Sequence, residues 1–92
     1  MASRLMKRWV EEYSIPTRAR FELALPEGAK FLAAAFYQNQ PRMWFAVQKP
    51  YCETHAHRFA LIITGGELPE EPCEHIATVV GFGIVGHLFE IK

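Results

Sequence analysis

Apolar and polar residues alternate with a period of two along most of the chain. Phe21, Leu23 and Leu25 alternate with Arg20, Glu22 and Ala24. Met43, Phe45 and Val47 face away from Arg42, Trp44, Ala46 and Gln48. His57, Phe59, Leu61 and Ile63 share one side of a segment whose other side holds Arg58, Ala60, Ile62 and Thr64. This is the signature of half-buried strands. Arg8–Ile15 mixes Trp9, Val10 and Tyr13 with charges and stops at Pro16, which predicts an edge strand. Lys30–Gln38 is almost uniformly apolar. Its three alanines favour helix, but Gly28 and Asn39-Gln40-Pro41 bracket it tightly, and its aromatics predict a central strand. Pro26-Glu27-Gly28 is a turn signal, Lys49–Ala56 reads as a polar connection, and Gly65–Glu74 reads as an acidic loop. His75–Val80 and Ile84–Ile91 form a hairpin across Gly81-Phe82-Gly83. The sum is a mainly β domain of about seven short strands over residues 8–92, a compact antiparallel sandwich or small barrel, behind a flexible lead-in at residues 1–7.

Composition narrows this. Ninety-two residues make one domain, with little excess core for a deep active-site cavity. At 50% hydrophobic the chain is too apolar for disorder, yet no run approaches the roughly 18 residues of a membrane helix. Met1–Lys7 carries no apolar core of a signal peptide. The zero net charge is split: residues 1–49 hold eight cations against four acids, and residues 50–92 two against six, so the halves carry +4 and −4. This favours self-association into a homo-oligomer and argues against duplex nucleic acid, which selects a basic footprint. Two free thiols fit a reducing cytoplasm.

Few motifs carry chemistry. Gly81-Phe82-Gly83-Ile84-Val85-Gly86 spells GxGxxG, but the six residues that follow leave no room for the helix and second strand of a dinucleotide site, so it reads as a hairpin turn. Cys52, His55, His57, Cys73 and His75 resemble a zinc set. With Cys73 placed beyond the far end of the His57–Thr64 strand, roughly 20 Å would separate the groups, so neither a metal nor a disulfide is expected within one chain. Glu67, Glu70, Glu71 and Glu74 share a loop expected to be solvated. The chain has no Asp and no readable catalytic triad, and no cofactor is implied.

The candidates for ligand contact are Arg58 and His87, polar residues in apolar strands, with Arg20, Arg42, Trp44, Tyr37, Thr64 and Gly65. A guanidinium and an aromatic ring on one wall grip phosphate and stack on a base. The alternative places Arg58 and Trp44 on a solvent face, with the arginine stem along the ring.

The order of motifs is also familiar. Tyr13-Ser14-Ile15-Pro16, Leu25-Pro26-Glu27-Gly28-Ala29-Lys30, Asn39-Gln40-Pro41-Arg42-Met43-Trp44-Phe45-Ala46-Val47, Arg58-Phe59, Ile62-Ile63-Thr64-Gly65 and Gly86-His87-Leu88-Phe89-Glu90 together resemble a family of small uncharacterised phage and prophage accessory proteins. Cys52, Cys73, His55, His57 and His75 are not part of that pattern. The resemblance implies a β-rich protein that binds rather than catalyses. By analogy with small phage proteins that act as sponges, the expectation is a non-enzymatic oligomer sequestering a small anionic, nucleotide-derived ligand. The alternatives are a protein-interaction module that blocks a host protein or serves phage assembly, and a small phosphodiesterase using His57 and His87.

Overall fold

The computed structural model describes residues 7–16, 18–49 and 53–92. It contains seven strands: β1 (Lys7–Ser14), β2 (Arg20–Pro26), β3 (Lys30–Tyr37), β4 (Gln40–Lys49), β5 (Thr54–Ile63), β6 (Cys73–Gly81) and β7 (Ile84–Ile91). All pairs are antiparallel, and they form two sheets, β1-β4-β3 and β2-β5-β7-β6. The fold is a sandwich. No helix among the described residues is long and apolar enough to cross a membrane.

The alternation read from the sequence decides which side chains meet between the sheets. Met43, Phe45 and Val47 point inward from β4, and Phe21, Leu25, Phe59, Val79 and Leu88 from the other sheet. Ile15 closes the core just beyond β1. Phe59 stacks on Phe21 at 5.4 Å within its sheet and meets Phe45 across the gap at 6.5 Å. Tyr13 and Phe31 approach Phe45 edge-on from either side, each at 5.6 Å. Burial of a ring such as Phe59 contributes about 1.5–3 kcal/mol.

Two hairpins turn on two-residue loops with both residues at positive φ: Gln38 and Asn39 (52° and 68°), and Phe82 and Gly83 (52° and 72°). This geometry matches the twist of the flanking strands. Gly28 (φ 81°) serves a different purpose, because β2 and β3 belong to different sheets and its turn carries the chain across the sandwich.

Several expectations need correction. Lys30–Tyr37 is an edge strand, and β4 is the centre of its sheet. The apolar run misleads because its alanines are small enough to sit on the solvent side, where Ala33 and Ala35 are exposed. The Lys49–Ala56 connection is shorter than expected, since Thr54–Ala56 already pairs with Pro26–Ala24 in β5. Lys7 belongs to β1 rather than to a lead-in, while Met1–Met6 and Cys52 lie outside the described residues. Cys73 does not lie at the far end of β5. It pairs with Ile91, which pairs with Arg58, so the segment after β5 runs back along the whole sheet before β6 starts.

That return fixes the position of the acidic loop. β5 and β6 flank β7 in the same direction, so residues 64–72 form a crossover. Glu71 in this crossover meets Arg20 and Arg58, which lie on the outer side of the sheet in alternation with Phe21 and Phe59. The buried Ala60 and Ile91 on that outer face fit a strap passing above them.

Candidate functional site

The eight candidate residues divide between opposite faces of the sandwich. Arg20, Arg58, Thr64 and His87 lie on the outer face of the four-stranded sheet, and Gly65 lies in the turn just after β5. Trp44, Tyr37 and Arg42 lie on the outer face of the other sheet. The two sheets are stacked at about 10 Å, so within one chain Trp44 and Arg58 do not share a wall. The stacking of a base on Trp44 with its phosphate on Arg58 is thereby excluded for a single chain. The arginine stem of Arg58 does not cover Trp44 either.

Arg42 is fully engaged. It pairs with Glu12, donates from Nε to the Tyr37 carbonyl at 3.1 Å, and lies 5.6 Å from the Tyr37 ring centroid. Trp44 sits half-buried between Glu12 and Ala33 of the neighbouring strands. This face is a structural charge network; Lys49, which bonds Glu11 at 2.8 Å and stands over Trp9, lies instead in phase with Phe45 and Val47 on the inward side of the sheet.

The four-stranded sheet holds the more suggestive arrangement. Arg20 grips Glu71 with two parallel bonds, Nη1–Oε2 at 2.8 Å and Nη2–Oε1 at 2.9 Å. Arg58 Nη1 approaches the same Oε2 at 4.0 Å, while its Nη2 donates to the Lys92 carbonyl at 3.2 Å. The expected solvated loop is thus clasped to the sheet at this point. The Arg20 bonds hold the Glu71 carboxyl down at about 2. Beside the two arginines is an open cavity of about 250 Å³ lined by Arg20, Phe21, Glu22, Arg58, Phe59 and Ile91.

Further along the same face, Thr64, just beyond the end of β5, forms a ladder with His87 of β7 and with Thr78 and His75 of β6. Thr64 Oγ1 is 2.8 Å from His87 Nε2, His87 Nδ1 is 3.2 Å from Thr78 Oγ1, and Thr78 Oγ1 is 3.0 Å from His75 Nε2. One direction of donation satisfies every member. Thr64 gives its proton to the Val85 carbonyl and accepts from His87 Nε2, and Thr78 donates to His87 Nδ1 and accepts from His75 Nε2. His75 and Thr78, three residues apart, would normally face opposite ways. A bulge between His75 and Ala77 restores the phase and puts both on the outer side. Nothing in the sequence marks this bulge, so Thr78 and the pairing of His75 with His87 were not foreseen.

His57 belongs to the other side of β5, where its Nδ1 lies 3.0 Å from Glu90 Oε2. It therefore does not face His87, and a phosphodiesterase using His57 and His87 together has no such pair within one chain. Among the described residues, the grouping able to hold a cation is Glu27, Glu53 and His55, all exposed at one end of the sheet. The described members of the supposed zinc set, His55, His57, Cys73 and His75, are not gathered together.

A second cavity lies on the inner side of the same sheet, a cleft of about 420 Å³ open to solvent and lined mainly by Phe36, Pro41, Leu61, Ile63, Val79 and Ile84. Its walls come from both sheets, Phe36 and Pro41 from one and Leu61, Ile63, Val79 and Ile84 from the other.

No curated protein and no solved structure matches the chain. Residues 6–92 match a family described as a domain of unknown function, DUF7352, and with nearly its whole length matched the chain belongs to that family.

Proposed function

We propose that this domain is a non-enzymatic binding protein for a small anionic ligand, nucleotide-derived in the reading the sequence suggests. Its site is the outer face of the four-stranded sheet. The observation that carries the reading is the convergence of Arg20 and Arg58, from adjacent strands, on one carboxylate. Glu71 occupies the position that a phosphate would take, and two guanidinia match phosphate as they match carboxylate. Thr64 and His87 extend the polar surface, and the Gly65 turn brings backbone close to it. Trp44, Tyr37 and Arg42 are left out of a site within one chain and would join only through a second copy. Self-association is supported by β1, β2, β3 and β6, which stand at the ends of the two sheets with no further strand beyond them among the described residues. The setting implied by the resemblance to phage accessory proteins is sequestration of a signal in a host cytoplasm, with which the free Cys73 thiol is compatible.

The test is a thermal-shift screen of cyclic mono- and dinucleotides and ADP-ribose derivatives at 1 mM. A ligand present at 100 times its Kd stabilises by about 2.7 kcal/mol, a rise of more than 10 °C for a domain of this size. The shift should vanish in Arg58→Gln and Arg20→Gln, and the ligand should be recovered unchanged after heating. If no compound moves Tm, the proposal fails; if a compound is turned over, the non-enzymatic part fails.

A second reading, a protein-interaction module, is favoured by one feature. Val80, Phe82, Ile84 and Val85 expose an apolar hairpin tip, with Phe82 67% exposed. A stoichiometric host protein retained by the wild type and lost in Phe82→Ser would support it.

A further inference from the structure

We infer that the open end of the sandwich is a second binding site, for an amphipathic anion with an acyl-type tail and a carboxylate head. It lies on the inner side of the sheet that carries Arg20 and Arg58 on its outer side, and it does not depend on that pair.

The alternation along β5 is the first argument. Phe59, Leu61 and Ile63 all point toward the opposite sheet, yet Phe59 is 1% exposed and Ile63 49%. Ile84, on the inner side of β7, is 42% exposed. Ile63 and Ile84 thus face the opposite sheet and still leave about half of their surface uncovered. The cleft they line has the volume of a small-molecule site and almost entirely apolar walls.

Two glycines keep it open. A Cβ at Gly86, which lines the floor, would meet Leu61 Cδ1 at 3.1 Å and Val79 at 3.5 Å, so any side chain there would fill the cleft or displace its wall. A Cβ at Gly81 would overlap the Phe36 ring at 2.6 Å. The ring uses the space that a side chain would take, and so stands back against β6 as the opposite wall.

Arg18 supplies the third argument. It is the cation lining the mouth, it is exposed, and it makes no ion pair among the described residues, whereas Arg20 and Arg42 are each matched to a carboxylate. Asn39 is the other polar side chain of the lining. An apolar slot with one unmatched cation at its rim recognises a chain that ends in an anion.

The experiment compares decanoate with decanol, the same tail without the charge, by calorimetric titration of the full chain. Wild type should bind both, decanoate more tightly. Arg18→Gln should weaken decanoate at least 5-fold and leave decanol unchanged. Gly86→Val should weaken both. Ile84→Gln, on a half-exposed wall, does the same work if Gly86→Val does not fold. No binding of either compound would overturn the inference, as would equal losses in Arg18→Gln. Sedimentation of the ligand-free protein as a dimer that excludes decanol would assign the cleft to a second copy instead. Capture by phosphatidylglycerol vesicles without decanoate binding would assign it to a membrane surface, and either result rejects the proposal. The nucleotide screen is read at Arg20 and Arg58, so its failure leaves this result intact.

Discussion

Gly81 offers a direct test of how the two sheets are held together. β3 and β6 are the strands of different sheets that approach each other most closely, and the ring of Phe36 lies against Gly81 at that point. The glycine is not there for its backbone, because its φ is not positive and a strand accepts alanine. In Gly81→Ala the new Cβ would sit 2.6 Å from Phe36 Cδ2, 2.7 Å from Cγ and 3.2 Å from Cβ. Turning the ring about its own axis leaves Cγ in place, so the Phe36 side chain must change rotamer or the edge of β3 must move. Overpacking of this kind costs about 1–3 kcal/mol. A domain of this length has roughly 5–14 kcal/mol in all, and each kcal/mol shifts Tm by about 4–8 °C. Thermal unfolding followed by circular dichroism should therefore show a loss of about 5–20 °C. In a Phe36→Ala background the same substitution should cost almost nothing, and the double-mutant cycle should show strong coupling. A Gly81→Ala protein that melts with the parent, or a loss that persists in full without Phe36, would refute the account.

Glu71 has a carboxyl depressed to about 2 by Arg20, so its stabilising contribution is complete above the ordinary carboxylate range near 4.5 and is lost as pH falls toward 2. Carboxyl NMR titration should find Glu71 among the last acids to protonate, and Arg20→Gln should return it toward the ordinary range; a normal midpoint in the wild type would contradict the clasp. Met43→Ala, at a position with no solvent exposure between the sheets, should cost about 2–5 kcal/mol in urea unfolding, and a loss below 1 kcal/mol would show that Met43 is not packed in the core. Phe82→Asn should raise Tm by a few degrees, since asparagine suits the positive φ of that turn and the ring is mostly exposed; a fall would mean that the edge contact with Phe36 at 5.7 Å matters more.

What the sequence disclosed and what it withheld have a common physical origin. Period-two alternation is local, and it marks β2, β4 and β5 with the inward sets Met43–Phe45–Val47 and Phe59–Leu61, while the turn signals at Gly28, Asn39 and Gly81–Gly83 bracket other strands. Partnership between strands is not local. Trp44 and Arg58 each stand out in an apolar segment, but only the sheet assignment shows that they look away from each other. The meeting of Arg20 with Glu71, 51 residues later, depends on the path of the crossover. The His75–Thr78–His87 ladder depends on a single extra residue in β6. Arg58 and His87 stand out in the sequence because polar groups interrupt hydrophobic strands there. Arg18 and the cleft are invisible in the sequence because the cavity is made by side chains of two different sheets, and no residue type announces it.

The placement of β7 has a consequence for biosynthesis. The three-stranded sheet needs nothing beyond residue 49, so its pairings are available early to a chain emerging from the ribosome. The other sheet has its last-made strand in an interior position, between β5 and β6. Until residues 84–91 emerge, β5 and β6 have no common partner, and the face that should cover Met43 and Phe45 exists only in halves. Translation thus imposes an order, with one layer able to form first and wait, and the closing strand admitting the second layer in a single late step. Nascent chains halted before Ile84 would present unpaired β5 and β6 edges and an uncovered apolar layer, the state most open to chaperones, proteases and mispairing with a neighbouring copy.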